Sequence, residues 1–180
     1  MREQNNSKTV KISLLGNSKV GKTCFIKKIF KNEFTSHYER TIGMEVHSKI
    51  FKKTEIIIFD YIGGPGDFRP MSRTYFHSDA ILLFFDVTDE NSFFKLEFWI
   101  DLINKYANEE TKVFLIGNKS DLMDQCKIEM QSIEEMSSKH SINFIGFLSS
   151  KTGENINETF ETVLNIIIFQ NEKENEPNDY

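Results

Sequence analysis

The sequence predicts an α/β fold: an open, doubly wound, mostly parallel sheet of six strands with helices on both faces. Three observations carry this. Apolar runs recur at residues 9–15, 56–59, 80–85, 112–116 and 142–147, each bounded by Gly, Asn, Asp or Ser. Their hydrophobicity is continuous rather than alternating, as expected of parallel strands covered on both faces. Between most of them lie helix-length segments at 22–31, about 68–77, 92–106, 128–139 and 155–169, with apolar positions returning every three or four residues. The third observation is an exception to this alternation. Residues 44–51 alternate weakly, Lys52-Lys53-Thr54 supplies a polar turn, and 55–59 follows directly, which reads as a hairpin placing one antiparallel strand at the sheet edge.

Length and composition bound the rest. A chain of 180 residues holds one domain and leaves no room for a second catalytic one. Residues 1–8 read as a flexible N-terminus, 9–169 as the folded domain, and 170–180, rich in Asn and Glu, as a disordered acidic tail. Hydrophobic residues make up 39% with 17 Phe, enough apolar side chain to close a core against the entropy of folding. The net charge of −5 argues against nucleic acid as a partner. Cys24 and Cys126 stand far apart in no metal-ligand or redox spacing, which favours a reducing, cytoplasmic setting. No signal peptide and no run of about 18 apolar residues is present, so no membrane span is expected.

Gly16-Asn17-Ser18-Lys19-Val20-Gly21-Lys22-Thr23 matches GxxxxGK[ST] between a strand and a helix, the context that separates a phosphate-binding loop from a plain glycine turn. Successive backbone N–H groups of Ser18 to Thr23 and the helix N-terminus form an anion nest. Lys22 supplies a point charge to the β/γ oxygens, and the Thr23 hydroxyl is a candidate Mg²⁺ ligand. Lys19 adds a charge at the rim.

Asn118-Lys119-Ser120-Asp121 follows directly on a buried strand, at the end where a doubly wound sheet binds ligands. A carboxylate at Asp121 can accept from both N1–H and the exocyclic amine of guanine, a donor pair that adenine lacks. Asn118 would tie this loop to the phosphate loop, and the Lys119 stem would cover one face of the base. Alone, these four residues could be an ordinary strand-ending turn; beside a phosphate loop they select GTP and GDP. Ser149-Ser150-Lys151 follows the last strand, and its backbone N–H groups could meet the guanine O6.

In order and spacing these motifs resemble the Ras superfamily over about residues 9–169, most of all its Rab branch. The resemblance extends to Thr41-Ile42-Gly43-Met44-Glu45-Val46, Asp60 with Gly63, Tyr75-Phe76, Asp86-Val87-Thr88-Asp89 with Asn91-Ser92-Phe93, and Ser149 to Asn155. It implies a P-loop small G-protein fold, with GTP or GDP and Mg²⁺ bound. It also implies that Phe34 packs on guanine, that Thr41 binds Mg²⁺ and the γ-phosphate, that Asp60 holds Mg²⁺ through water, and that the Gly63 amide senses the γ-phosphate. Residues 35–46 and 60–73 are then two switch loops, and Lys22, Thr41 and Gly63 carry what catalysis there is. Effectors, an exchange factor and a GTPase-activating protein are the implied partners, and vesicle trafficking at the cytosolic face of membranes the implied setting. Rab relatives usually end in prenylated cysteines, and no lipidation motif is present in this chain.

The sequence also departs from the family. The expected Asp-Thr-Ala-Gly-Gln-Glu is here Asp60-Tyr61-Ile62-Gly63-Gly64-Pro65-Gly66-Asp67, so Gly64 stands at or near the position of the water-orienting Gln, and the loop carries one extra residue. Asp67 is a candidate replacement, or else a solvated loop charge. Because phosphoryl transfer depends on positioning, and unassisted hydrolysis is on the order of 10⁻⁴ s⁻¹ even with the Gln, slower turnover is expected. Val46 and Phe59 replace two family aromatics on the effector surface. Arg40, His37 and Tyr38 read as exposed loop residues, with contact to phosphate or a partner as the alternative. The cluster of Phe93, Phe94, Leu96, Phe98, Trp99, Leu102 and Ile103 reads as core, with a few positions left for a partner patch or self-association. Two functions remain open: a slow regulatory GTPase, and a pseudo-GTPase scaffold that binds nucleotide without significant hydrolysis. An ATP-using P-loop enzyme is disfavoured by Asn118 and Asp121.

Overall fold

A computed structural model describes residues 9–37, 39–61 and 76–173, with side chains to residue 169. The chain runs β1 (Thr9–Gly16), α1 (Lys22–Lys31), β2 (Met44–Phe51), β3 (Thr54–Tyr61), β4 (Ala80–Asp86), α2 (Glu90–Phe94), α3 (Leu96–Tyr106), β5 (Lys112–Asn118), a 3-10 segment (Ser120–Gln125), α4 (Met130–His140), β6 (Asn143–Leu148) and α5 (Ile156–Lys173). The six strands form one sheet in the order β2-β3-β1-β4-β5-β6. β2 pairs antiparallel with β3, and the other pairings are parallel. The fold class read from the sequence is the one observed.

The continuous apolar runs are explained by β4, whose seven residues are all buried. The period of two sends Ala80, Leu82 and Phe84 to one face and Ile81, Leu83 and Phe85 to the other. The first face packs under α1 and α5, where Phe25 meets Phe84 and Phe160 edge-on at 5.2 and 6.3 Å. The second packs under α3 and α4 through Trp99, Ile100, Ile103 and Ile133. Each such Leu or Phe contributes about 1.5–3 kcal/mol on burial.

Register then gathers the strand ends. Gly16 lies opposite Phe84, Asp86 opposite Asn118, and Asn118 opposite Leu148. The loops leaving β1, β4, β5 and β6 therefore emerge side by side at one edge of the sheet.

Several boundaries differ from the sequence reading. The hairpin turn is Lys52-Lys53 alone: Thr54 already pairs with Phe51, and φ of 46° and 75° at the two lysines suits a two-residue turn whose twist matches the strands. The helix expected over 92–106 is two helices. Asp89 caps the first by accepting from the Asn91 N–H (3.1 Å), which starts it at Glu90, and Lys95 interrupts it. The break lets Phe93 and Leu96 both face the core while Phe94 is left 68% exposed. Core packing thus accounts for most of that apolar cluster. α4 starts at Met130, because Glu129 is extended. α5 continues to Lys173, four residues past the expected end, through Gln, Asn, Glu and Lys, three of them good helix formers. The helix expected near 68–77 falls almost entirely outside the described residues, as do Tyr38, Gly63, Gly64, Asp67 and Tyr75.

Candidate functional site

A cleft of about 480 Å³ opens at the shared edge of the strand ends. Ser18, Lys19, Gly21, Lys22 and Thr23 line it from the loop after β1, and Phe34 and Thr41 from the segment before β2. Asn118, Lys119 and Asp121 enter after β5, and Ser150 and Lys151 after β6. Its size suits a small organic ligand.

The phosphate-loop end is built on close backbone approach. Gly16 has φ +131°, and a Cβ there would lie 2.4 Å from the Phe84 carbonyl oxygen. At Gly21, φ is +99° and a Cβ would strike the Asn118 amide nitrogen at 2.2 Å. Both positions require glycine. Lys19 takes φ 68° with a full side chain, a conformation that costs an L-residue about 1–2 kcal/mol. The Lys22 ammonium donates to the Gly16 and Asn17 carbonyls at 2.9 and 3.0 Å. Burial pulls its pKa down from 10.5 to about 8, with Asp60 pulling the other way. Trp99 of α3 donates from its indole to Asn17 Oδ1 at 3.1 Å, anchoring the loop to the core helix.

Beneath this loop, Thr23 Oγ1 donates to Asp60 Oδ2 at 2.5 Å and lies 3.0 Å from Thr41 Oγ1. These are the three residues expected at the metal. Asp60 is fully buried, and burial raises its carboxyl pKa despite the Thr23 hydrogen bond and the Lys22 charge. Its Oδ1 has no hydrogen-bond partner among the described residues. A buried carboxylate oxygen without a donor, beside two hydroxyls, is an all-oxygen donor set that fits Mg²⁺ or another hard cation. Asp60 does not itself line the cleft but stands behind the two threonines.

The other end is held by Asn118, only 1% exposed. Its Nδ2 donates to the Val20 carbonyl (2.8 Å), and its Oδ1 accepts from the Lys119 and Ser150 N–H groups (2.8 and 3.0 Å). One side chain therefore locks three loops together. Val20 contributes through that carbonyl, its side chain being buried in the core. Asp121 Oδ1 accepts from Ser149 Oγ (2.6 Å) and Oδ2 pairs with Lys151 Nζ (3.3 Å). Burial works against its ionisation, but the hydrogen bonds and charge from Ser149 and Lys151 outweigh it and hold the carboxyl below its usual value.

Two features were not anticipated. The Ser149, Ser150 and Lys151 N–H groups are engaged within the protein, on the Glu154 carbonyl, Asn118 Oδ1 and Ser149 Oγ respectively. Ser149 is fully buried and acts on Asp121 through its hydroxyl rather than lining the cleft. Lys119 pairs with Asp86, whose Oδ1 accepts from the Thr88 N–H and hydroxyl. Asp86 thus positions the lysine that flanks the cleft, a role that neither its place at the end of a buried strand nor its place in the Asp86–Asp89 match specifies. Cys24, Lys27, Glu45, Tyr61 and Leu122 also line the cleft, and their scattered positions form no motif.

With this geometry described, comparison with known proteins is direct. The model of the Ras family matches residues 11–169. The chain is 32% identical over 163 residues to the Ras-related protein SEC4 of Saccharomyces cerevisiae, covering 88% of this chain and 74% of that protein. It is 33% identical to the GTP-binding protein ypt4 of Schizosaccharomyces pombe, covering 88% and 71%. It is 29% identical to the Ras-related protein Rab-13 of Rattus norvegicus, covering 89% and 80%.

Proposed function

The chain belongs to the Ras family of small GTPases, on its Rab branch, and from that premise we propose that it is a guanine-nucleotide switch that hydrolyses GTP slowly in membrane trafficking. The observation that carries this reading is the Asn118 side chain, which fastens the phosphate loop to the loop bearing Asp121. A triphosphate and a base would therefore be held by one rigid assembly. In this reading Lys22 and the loop amides take the phosphates, Asp121 accepts from the guanine donors, Phe34 and the Lys119 stem flank the base, and Ser150 and Lys151 close the rim. Thr23, Thr41 and Asp60 would hold Mg²⁺, which would supply positive charge to offset the charge of the phosphates. Ordering of the segment around Thr41 by the γ-phosphate would be the switched element.

The absence of a Gln at Gly64 favours a second reading, a nucleotide-binding scaffold with no significant hydrolysis. Val46 and Phe59, which both depart from the family's aromatics, lie directly opposite one another on β2 and β3. The altered effector surface is thus one contiguous spot, and partners of other family members are not expected to transfer.

The test is single-turnover conversion of bound GTP to GDP in Mg²⁺, with Gly64→Gln alongside. A measurable rate that Lys22→Ala abolishes supports the switch. Stoichiometric GTP with no turnover favours the scaffold, and failure to bind guanine nucleotide would sink both.

A further inference from the structure

Among the described residues β2 is the edge strand of the sheet, paired with β3 alone. Exposed edges are usually blunted by charge, proline or a bulge, because their free N–H and C=O groups accept another strand. This edge has neither proline nor bulge, and Met44, Val46 and Ile50 on one of its faces are 39%, 54% and 76% exposed. Glu45, His47 and Lys49 occupy the opposite face, toward α1: the His47 ring lies 5.8 Å from that of Phe30, and Lys49 Nζ reaches the Ile29 carbonyl at 3.3 Å.

We propose that β2 pairs antiparallel with β2 of a second copy of this chain about a two-fold axis through His47, making one continuous sheet across the dimer. The proposal does not rest on the nucleotide reading, although Glu45 also lines the cleft, so Lys49 and Ile50 variants test it away from that site. A two-fold axis normal to the sheet keeps each face on its own side, so residues placed opposite one another must both be even or both be odd in number. In the register centred on His47, Glu45 lies opposite Lys49 twice, and Met44 lies opposite Ile50 twice. Opposite charges meet on the α1 face and apolar side chains meet on the other. The register centred on Ser48 instead sets His47 against Lys49 and Glu45 against Phe51, and the one centred on Val46 sets Glu45 against His47 but leaves Lys49 opposite Gly43. Charges that would block edge-to-edge pairing in other registers are therefore self-complementary in one. Eight residues per strand bury less than the roughly 1,600 Å² of a stable interface, so the dimer is weak and concentration-dependent.

Sedimentation equilibrium of the full chain over a wide concentration range tests this. The weight-average mass is expected to rise from 21.0 kDa toward twice that value. Glu45→Lys and Lys49→Glu should each weaken association about tenfold by setting like charges opposite one another. Mixing these two variants should restore it, because each then supplies the other's missing partner, and the double swap Glu45→Lys/Lys49→Glu should restore it within one chain. Ile50→Asp, remote from the nucleotide cleft, should also abolish it if the Glu45 variant does not fold. A mass of one chain at every concentration overturns the proposal, as does an association that the swaps leave unchanged or that mixing fails to recover.

Discussion

The two ends of the cleft are built on opposite electrostatic plans. At the base end, Asn118, Lys119 and Asp121 are satisfied within the protein, and the Asp121 carboxyl is held in its charged form. At the phosphate end, burial pushes Lys22 down and Asp60 up, each toward its neutral form, and Lys19 sits in a left-handed conformation. The base end contributes to the fold as it stands. The phosphate end costs the fold something that a phosphate and a cation would offset, as preorganised charged sites generally do.

Substitutions can break this contrast. The largest effect is expected from Asp121→Ala, which removes two charge-assisted hydrogen bonds worth about 1.5–3 kcal/mol each, so GDP affinity should fall about 10²–10⁴-fold by titration calorimetry. Unchanged affinity would move base recognition elsewhere. Lys22→Met should lower GDP affinity about a hundredfold while raising the thermal midpoint of the nucleotide-free protein, because a buried charge is removed. If both fall together, the phosphate end is not the costly one.

The pH response sharpens the same contrast. The folded pKa of Lys22, about 8, lies below the ordinary lysine value of 10.5, so between them the unfolded chain binds more protons. Nucleotide-free stability from this group should therefore rise from pH 8 to 10.5. A bound phosphate favours the charged lysine, so nucleotide affinity should fall with pH from about 8 upward, in the opposite direction. Parallel pH profiles for melting and GDP binding would expose any failure of this divergence. The smallest effect is expected from Lys19→Gly, which relieves the left-handed backbone at some entropic cost and should stabilise by about 0.5 kcal/mol in denaturant melts.

The sheet was legible because its signals are local. Runs such as Ala80 to Phe85 are short, apolar throughout and bounded by Asp79 and Asp86, as buried strands are, and the phosphate loop and Asn118 to Asp121 are contiguous motifs. The break at Lys95 was not legible, since helical periodicity continues across it and only the need to seat both Phe93 and Leu96 against the core reveals it. Nor were the roles of Ser149 and Asp86, which act on side chains 28 and 33 positions away in the chain.

The sequence by itself determined the fold class, the strand ends that carry chemistry and the residue types available there, because hydrophobic period and loop motifs are properties of neighbouring residues. The tertiary structure alone decided which loops share a side chain, which charges are buried, and that Val46 and Phe59 form one spot. Those outcomes depend on strand order and register, which bring distant residues into contact and set the dielectric around each charge.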